Sequence, residues 1–164
     1  MSTPPEQTIH VRPALAGDAE RIAELTRAVH AMHADALPHV FQPVERAPVS
    51  AADVARSIAA SGPLFLVATR DGAVAGYARA ELLDTPASPH KLASRTLRLH
   101  ELAVSPAQRR LGVGRALLQA VRTLAAERDA TGVSLMVYAF NAEARAFYAR
   151  EGFAPLQELL DCGP

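Results

Sequence analysis

The sequence predicts a mixed α/β fold, a central sheet of about six strands with helices on its faces. Three observations carry this. Apolar patterning gives the element order β-α-α-β-β-β-α-β-α-β. Asp71-Gly72 sits between two apolar runs, the strongest short hairpin signal. The stretch "AVSPAQRRLGVGRALLQAV" (103–121) runs from a strand into an amphipathic helix through a loop with two glycines.

In order along the chain, "TIHVRPA" alternates apolar and polar residues and reads as a strand stopped by Pro13. Asp18 stands where a helix N-cap would, and Ile22, Leu25 and Val29 follow at helical spacing through "DAERIAELTRAVHAMH". The three prolines of "ALPHVFQPVERAP" mark a loop. "SAADVARSIAAS" is a second helix, capped by Ser50, with Val54 and Ile58 inward; Gly62-Pro63 breaks it. The hairpin "LFLVATRDGAVAGYARAELLD" leads to "TPASPHKLASR", a polar and mobile link. In "TLRLHELAVSP", Leu97 and Leu99 are out of phase with Leu102 and Val104. A β-bulge near His100 and Glu101 restores the register, whereas a strand buried on both faces would lose alternation anyway. "VGRALLQAVRTLAAERDATG" is a long helix with Leu117, Leu118, Val121, Leu124 and Ala125 as its buried stripe and Gly132 past its end. "VSLMVYAF" is a buried strand. "NAEARAFYAREG" is a helix with Asn141 as N-cap, Glu143 in the first turn and Gly152 as C-cap, and "FAPLQELL" is a sixth strand.

Bulk properties narrow the function. One domain accounts for all 164 residues, 1–164, with no internal repeat. A 49% hydrophobic content is that of a chain with a core. With 17 basic and 17 acidic groups the net charge is zero, against a nucleic-acid or membrane binder. "MSTPPEQT" lacks the features of a signal peptide, no apolar run reaches bilayer length, and a single cysteine, Cys162, precludes an intrachain disulfide. The expectation is a soluble cytoplasmic protein.

The loop around Gly112 and Gly114 is built for an anion. A helix N-terminus offers unpaired N–H groups and about half a positive charge, and glycines let a phosphate approach the backbone. Arg109, Arg110 and Arg115 flank it. The P-loop template fails, because Arg115-Ala116 follows Gly114; the Rossmann template lacks its third glycine. What remains is Arg109-x-x-Gly112-x-Gly114, preceded by an apolar strand and followed at once by a helix.

That constellation resembles the GNAT superfamily of N-acetyltransferases. "LHELAVSPAQRRLGVGRALLQAV" is similar to its acyl-CoA motif, "NAEARAFYAREGF" to its second motif, and "IHVRPALAGDAERIAELT" to its first strand and helix. The resemblance spans about residues 8 to 160. It implies a mixed, mostly antiparallel α+β sheet with helices on both faces, splayed between the fourth and fifth strands to admit acetyl-CoA. It implies that backbone N–H groups of Arg109, Arg110, Leu111, Gly112, Val113, Gly114 and Arg115 hold the pyrophosphate. Main-chain groups around Leu102, Ala103 and Val104 would pair with the pantetheine arm, Asn141 would touch the same arm, and Tyr148 would lie near the thioester sulfur. No metal is called for.

An amine attacks a thioester only when unprotonated, and a lysine-like amine has a pKa of about 10.4. The site must therefore take a proton and support the leaving thiolate. Tyr148 is the candidate acid; Asn141, Arg145 and Tyr148 share one helix face at i, i+4 and i+7. The plain alternative is a packing tyrosine. Glu101, at the proposed bulge, is the candidate base, directly or through a water, with His100 its rival. Otherwise Glu101 is a strand glutamate paired with Arg98 or Arg79. Met32, His33 and Phe41, in the segment after the first helix, with His100, are the expected acceptor-pocket residues. His30, His33 and His39 lack the companions of a metal site.

The reading is thus an acetyl-CoA-dependent N-acetyltransferase acting on a primary amine of a small molecule or peptide in a ternary complex. The alternative is a non-catalytic acyl-CoA-binding or regulatory module on the same fold. An uncovered last edge leaves room for a homodimer.

Overall fold

The computed structural model describes residues 8–60 and 63–162. Its sheet has five strands in sequential order: β1 (Ile9–Pro13), β2 (Pro63–Arg70), β3 (Ala73–Thr85), β4 (Ser94–Val104) and β5 (Gly132–Leu135). The first three pairings are antiparallel, and β4 with β5 is parallel. Helices α1 (Ala19–Ala36) and α2 (Ala51–Ala59) cover one face, packing Ile22, Leu25 and Val54 on Val67, Tyr77 and Ala103. On the other face α3 (Val113–Glu127) packs Val113, Leu117, Leu118 and Val121 on Ala68, Ala78, Ala80, Leu97 and Leu99. The alanines keep that sheet face shallow, so the leucines of α3 fill it; each buried leucine contributes about 1.5–3 kcal/mol. Helix α4 (Ala142–Arg150) joins this face through Phe147 and Tyr148.

Local chemistry explains most boundaries. Asp71 (φ 53°) and Gly72 (φ 79°) form the two-residue hairpin turn, with Arg70 opposite Ala73. The Ser50 hydroxyl caps α2 by accepting from Asp53 N at 3.1 Å. Val54 is buried beneath that helix and Ile58 packs beside it. Gly62 lies outside the described residues.

Four expectations are corrected. Asp18 is not a side-chain cap: it sits in a 3-10 turn with helical φ and ψ. Its carboxylate instead takes Leu15 N (2.8 Å) and both Arg12 nitrogens (2.7 and 2.9 Å), which tie β1 to α1 and hold the carboxyl below its usual range. Helix α3 stops at Glu127 rather than beside Gly132, because Asp129 takes the left-handed conformation (φ 55°) and Ala130 N bonds Ala125 O. Only three residues of "VSLMVYAF", Val133 to Leu135, join the sheet; from Met136, 79% exposed, the chain leaves it. "FAPLQELL" is no strand, so the sheet has five strands, not six. Its Pro155 lacks a donor, the edge strand β5 offers only four residues to pair with, and Leu156, Leu159 and Leu160 face solvent.

Candidate functional site

The site begins with a mismatch in β4. Arg79 pairs with Glu101 and Ala80 with Leu99, so His100 is the extra residue of a β-bulge. The slip puts Leu102 and Val104 back on the α3 face with Leu97 and Leu99, while Ala103 turns to the α1 face. On its other side β4 pairs with β5 only from Thr96 to Leu99. From His100 to Val104, β4 is therefore a strand edge without a β5 partner, five residues long and ending at the loop before α3.

Backbone geometry shapes that loop. Arg110 (φ 63°) and Gly112 (φ 87°) are both left-handed, with the Gly112 turn leading directly into α3. The first helical bond runs from Ala116 N to Gly112 O, so the amides of Val113, Gly114 and Arg115 have no acceptor within the helix. Alternating turned N–H groups of this kind form an anion-binding nest. The arginine side chains are engaged elsewhere: Arg109 Nε on Val104 O at 3.5 Å, Arg110 near Glu143 at 3.8 Å, and Arg115 on Glu151 at 2.9 Å. The turned backbone at Arg110–Gly112 and the first amides of α3 are the loop's candidate cradle.

Two candidate side chains lie on opposite faces of the sheet. Tyr148 packs against the core on the α3 face, its ring 5.2 Å from Phe147 and 5.7 Å from Phe153. Burial alone pushes its phenol up to about 12. Asn141 caps α4, its side-chain oxygen accepting from Ala144 N at 3.1 Å, which leaves its amide N–H₂ free to donate elsewhere. Arg145 turns back to Ala139 O at 3.3 Å, and Gly152 (φ 86°) closes the helix as expected.

Glu101 belongs to the α1 face and is clamped there. Arg79 Nε and Nη2 donate to Oε1 at 2.9 and 2.8 Å, and the buried Tyr77 hydroxyl donates to Oε2. Thr26 Oγ1 of α1 stands 2.7 Å behind the Tyr77 oxygen. Desolvation, then the Glu101 charge, pushes the Tyr77 phenol far up, so it remains a donor. Of the two pairings expected for Glu101, Arg79 is the one formed; Arg98 bonds Ser134 at 3.1 Å instead. His100 faces Glu81 at 3.1 Å.

The model of the Acetyltransferase (GNAT) family matches residues 27–153. The chain belongs to the GNAT acetyltransferase family. Solved structures share its fold. A tetramutant of the BH1408 protein from Bacillus halodurans superposes with TM-score 0.88 at 22% identity, covering 94% of this chain and 99% of that one. A transcriptional regulator from Bacillus halodurans C-125 gives 0.72 at 20%, covering 95% and 99%. The aminoglycoside N-acetyltransferase AAC(6')-Iy in complex with CoA gives 0.75 at 15%, covering 99% of both chains. No curated protein matches the sequence. Among the described residues no helix is long and apolar enough to cross a membrane.

Within this GNAT domain the expected acceptor residues scatter. His33 and Phe41 meet, ring centroids 5.1 Å apart, but His100 turns to Glu81 and Met32 is a half-exposed residue of α1. Sequence reasoning missed Tyr138 and Phe140, which join His33, and Tyr77, which holds Glu101. It also missed Gly76, where a Cβ would stand 2.6 Å from Ala103 O. The signal for Gly76 was present: a glycine inside a strand marks a bulge or a close backbone approach.

Proposed function

We propose that this GNAT protein transfers an acetyl group from acetyl-CoA to a primary amine of a small molecule or peptide by direct attack in a ternary complex. The observation that carries the reading is the open β4 edge, His100 to Val104, leading straight into the N–H cradle at Arg110–Arg115. A strand edge suits an amide-bearing arm, which pairs with it as an added strand, and the cradle suits the pyrophosphate at the arm's far end. Main-chain groups of Leu102, Ala103 and Val104 take the arm, with the Asn141 amide donating to it.

The reaction is then assigned to the open β4 edge, which both sheet faces border. The amine nitrogen attacks the thioester carbon, an amide C–N bond forms and the C–S bond breaks. Glu101, on the α1 face, takes the nitrogen's proton directly or through a water. Clamping by Arg79 and Tyr77 keeps that carboxylate in place, so little rearrangement is needed at the moment of reaction. Tyr148, on the α3 face, donates a hydrogen bond to the departing sulfur.

The test is free-thiol release with acetyl-CoA across a panel of amines. The wild-type protein releases thiol only when amine is present, and Glu101→Gln lowers the rate about 10²–10⁴-fold. Tight acetyl-CoA binding without turnover of any amine would instead mark a non-catalytic acyl-CoA module. The free β5 edge and the exposed Leu156, Leu159 and Leu160 extend the proposal to a homodimer.

A further inference from the structure

We propose that His33, Phe41, Tyr138 and Phe140 form an aromatic wall that selects amines carrying an aromatic group on a short arm. The proposal rests on the N-acetyltransferase reading above and names its acceptor class.

The four rings make a continuous edge-to-face array. His33 lies 5.3 Å from Tyr138 and 5.4 Å from Phe140, and Phe41 lies 5.2 Å from Tyr138, with interplanar angles of 68°, 80° and 69°. The chain has only five Phe, three Tyr and no Trp, so three of its eight large rings gather at one spot. Tyr138 and Phe140 are 43% and 36% exposed. This is ring surface left in water, not core.

The array is held ready. A carbonyl can only accept, so His33 Nδ1–H donates to Val29 O and His30 Nε2–H donates to Gln42 O, each at 2.8 Å. These bonds fix both imidazoles, and the His30 bond pins the 37–43 segment to α1.

Its place in the fold fits an acceptor wall. Tyr138 lies three residues past Leu135, the last residue paired with β4, just beyond the point in the chain where the open β4 edge begins. On α1, Thr26 touches Tyr77, which holds Glu101. His33 follows seven residues later on the same helix face, about 10 Å along the axis. On this proposal an amine held at Glu101 reaches the wall with a ring carried on a short arm. The rings carry no carboxylate, the partner that each ammonium of a polyamine or aminoglycoside would need. Flat apolar surface is what they recognise, each good ring contact contributing up to about tenfold in affinity.

The test compares kcat/KM, by thiol release from acetyl-CoA, for 2-phenylethylamine, butylamine, putrescine and an aminoglycoside. The expected order puts 2-phenylethylamine about tenfold or more above the others. Tyr138→Ala and Phe41→Ala lower it about tenfold for 2-phenylethylamine, change butylamine less than about twofold, and leave acetyl-CoA affinity unchanged. The half-exposed Tyr138→Phe variant retains the preference. Equal or better turnover of butylamine, putrescine or the aminoglycoside overturns the wall while leaving the acetyltransferase reading intact. So does an equal loss on all amines in the alanine variants. Absence of acetyl-CoA binding, or of any turnover, overturns the underlying reading and the wall with it.

Discussion

Replacing Tyr148 by phenylalanine separates two kinds of acid. The phenol stands at about 12 because burial disfavours its anion. A thiol such as the leaving group has a pKa of about 8.5. Moving the proton fully from phenol to thiolate therefore runs uphill by some 3.5 units, or about 5 kcal/mol. Complete transfer from Tyr148 is a poor route; the proton leaving the attacking nitrogen is the better source. What Tyr148 can supply is a hydrogen bond to a developing anion, about 1.5–3 kcal/mol. Tyr148→Phe should then lower the single-turnover rate of thiol release about 10–150-fold. Acetyl-CoA affinity by calorimetry should change less than about threefold, since the ring contacts with Phe147 and Phe153 survive. An unchanged single-turnover rate refutes the role. A loss near 10⁴-fold refutes the hydrogen-bond account in favour of obligatory proton transfer.

Three further outcomes follow from the same contacts. Tyr77→Phe removes a buried donor to a carboxylate and should cost about 1.5–3 kcal/mol in urea unfolding; as a positioning change it should lower kcat with acetyl-CoA affinity intact. Gly76→Ala drives a Cβ to 2.6 Å from the Ala103 carbonyl oxygen, which a backbone atom cannot relieve, and should lower Tm by about 5 °C or more. Alkaline stability carries the third. Below pH ~10, Tyr148 is protonated whether the chain is folded or not, and its contribution is complete. Above it the unfolded phenol ionises first while the folded one holds its proton to about 12, so stability falls across that window by up to about 3 kcal/mol. Tyr148→Phe should flatten the fall in a Tm-against-pH series, and an unaltered slope would contradict the burial of that hydroxyl.

Local signals in the sequence reached far into the site. The phase slip between Leu99 and Leu102 pointed to a bulge near His100 and Glu101, where it is found, because side-chain alternation otherwise sends the two pairs to opposite faces. Asp71-Gly72 and the Asn141 and Gly152 caps were legible for the same reason: each is a backbone conformation that few residue types satisfy. The clamp on Glu101 was only half visible. Arg79 could be named as a partner, but Tyr77 reaches Glu101 through a register that also sets Tyr77 opposite Ala103, and register is a long-range property. The aromatic wall was hidden by an apolar run. "VSLMVYAF" has the composition of a buried strand, and only the ending of its pairing with β4 at Leu135 turns Tyr138 and Phe140 outward. The tail leucines misled in the same way, since a strand needs a neighbour long enough to pair with.

The central claim is that the β4 edge and the backbone cradle before α3 hold acetyl-CoA. Calorimetric titration of acetyl-CoA into wild-type protein, Arg110→Ala and Gly112→Val tests it most directly, with Gly112→Ala and thermal melts as controls for folding. Left-handed φ at Gly112 strains any side chain placed there, while the Arg110 side chain lies beside Glu143 and is assigned no more than a rim contact in the proposal. The account predicts one site per chain in the wild type, affinity within about tenfold for Arg110→Ala, and binding lost or nearly so in folded Gly112→Val, with Gly112→Ala between them. No binding to the wild type, or a greater loss from Arg110→Ala than from Gly112→Val, would contradict it.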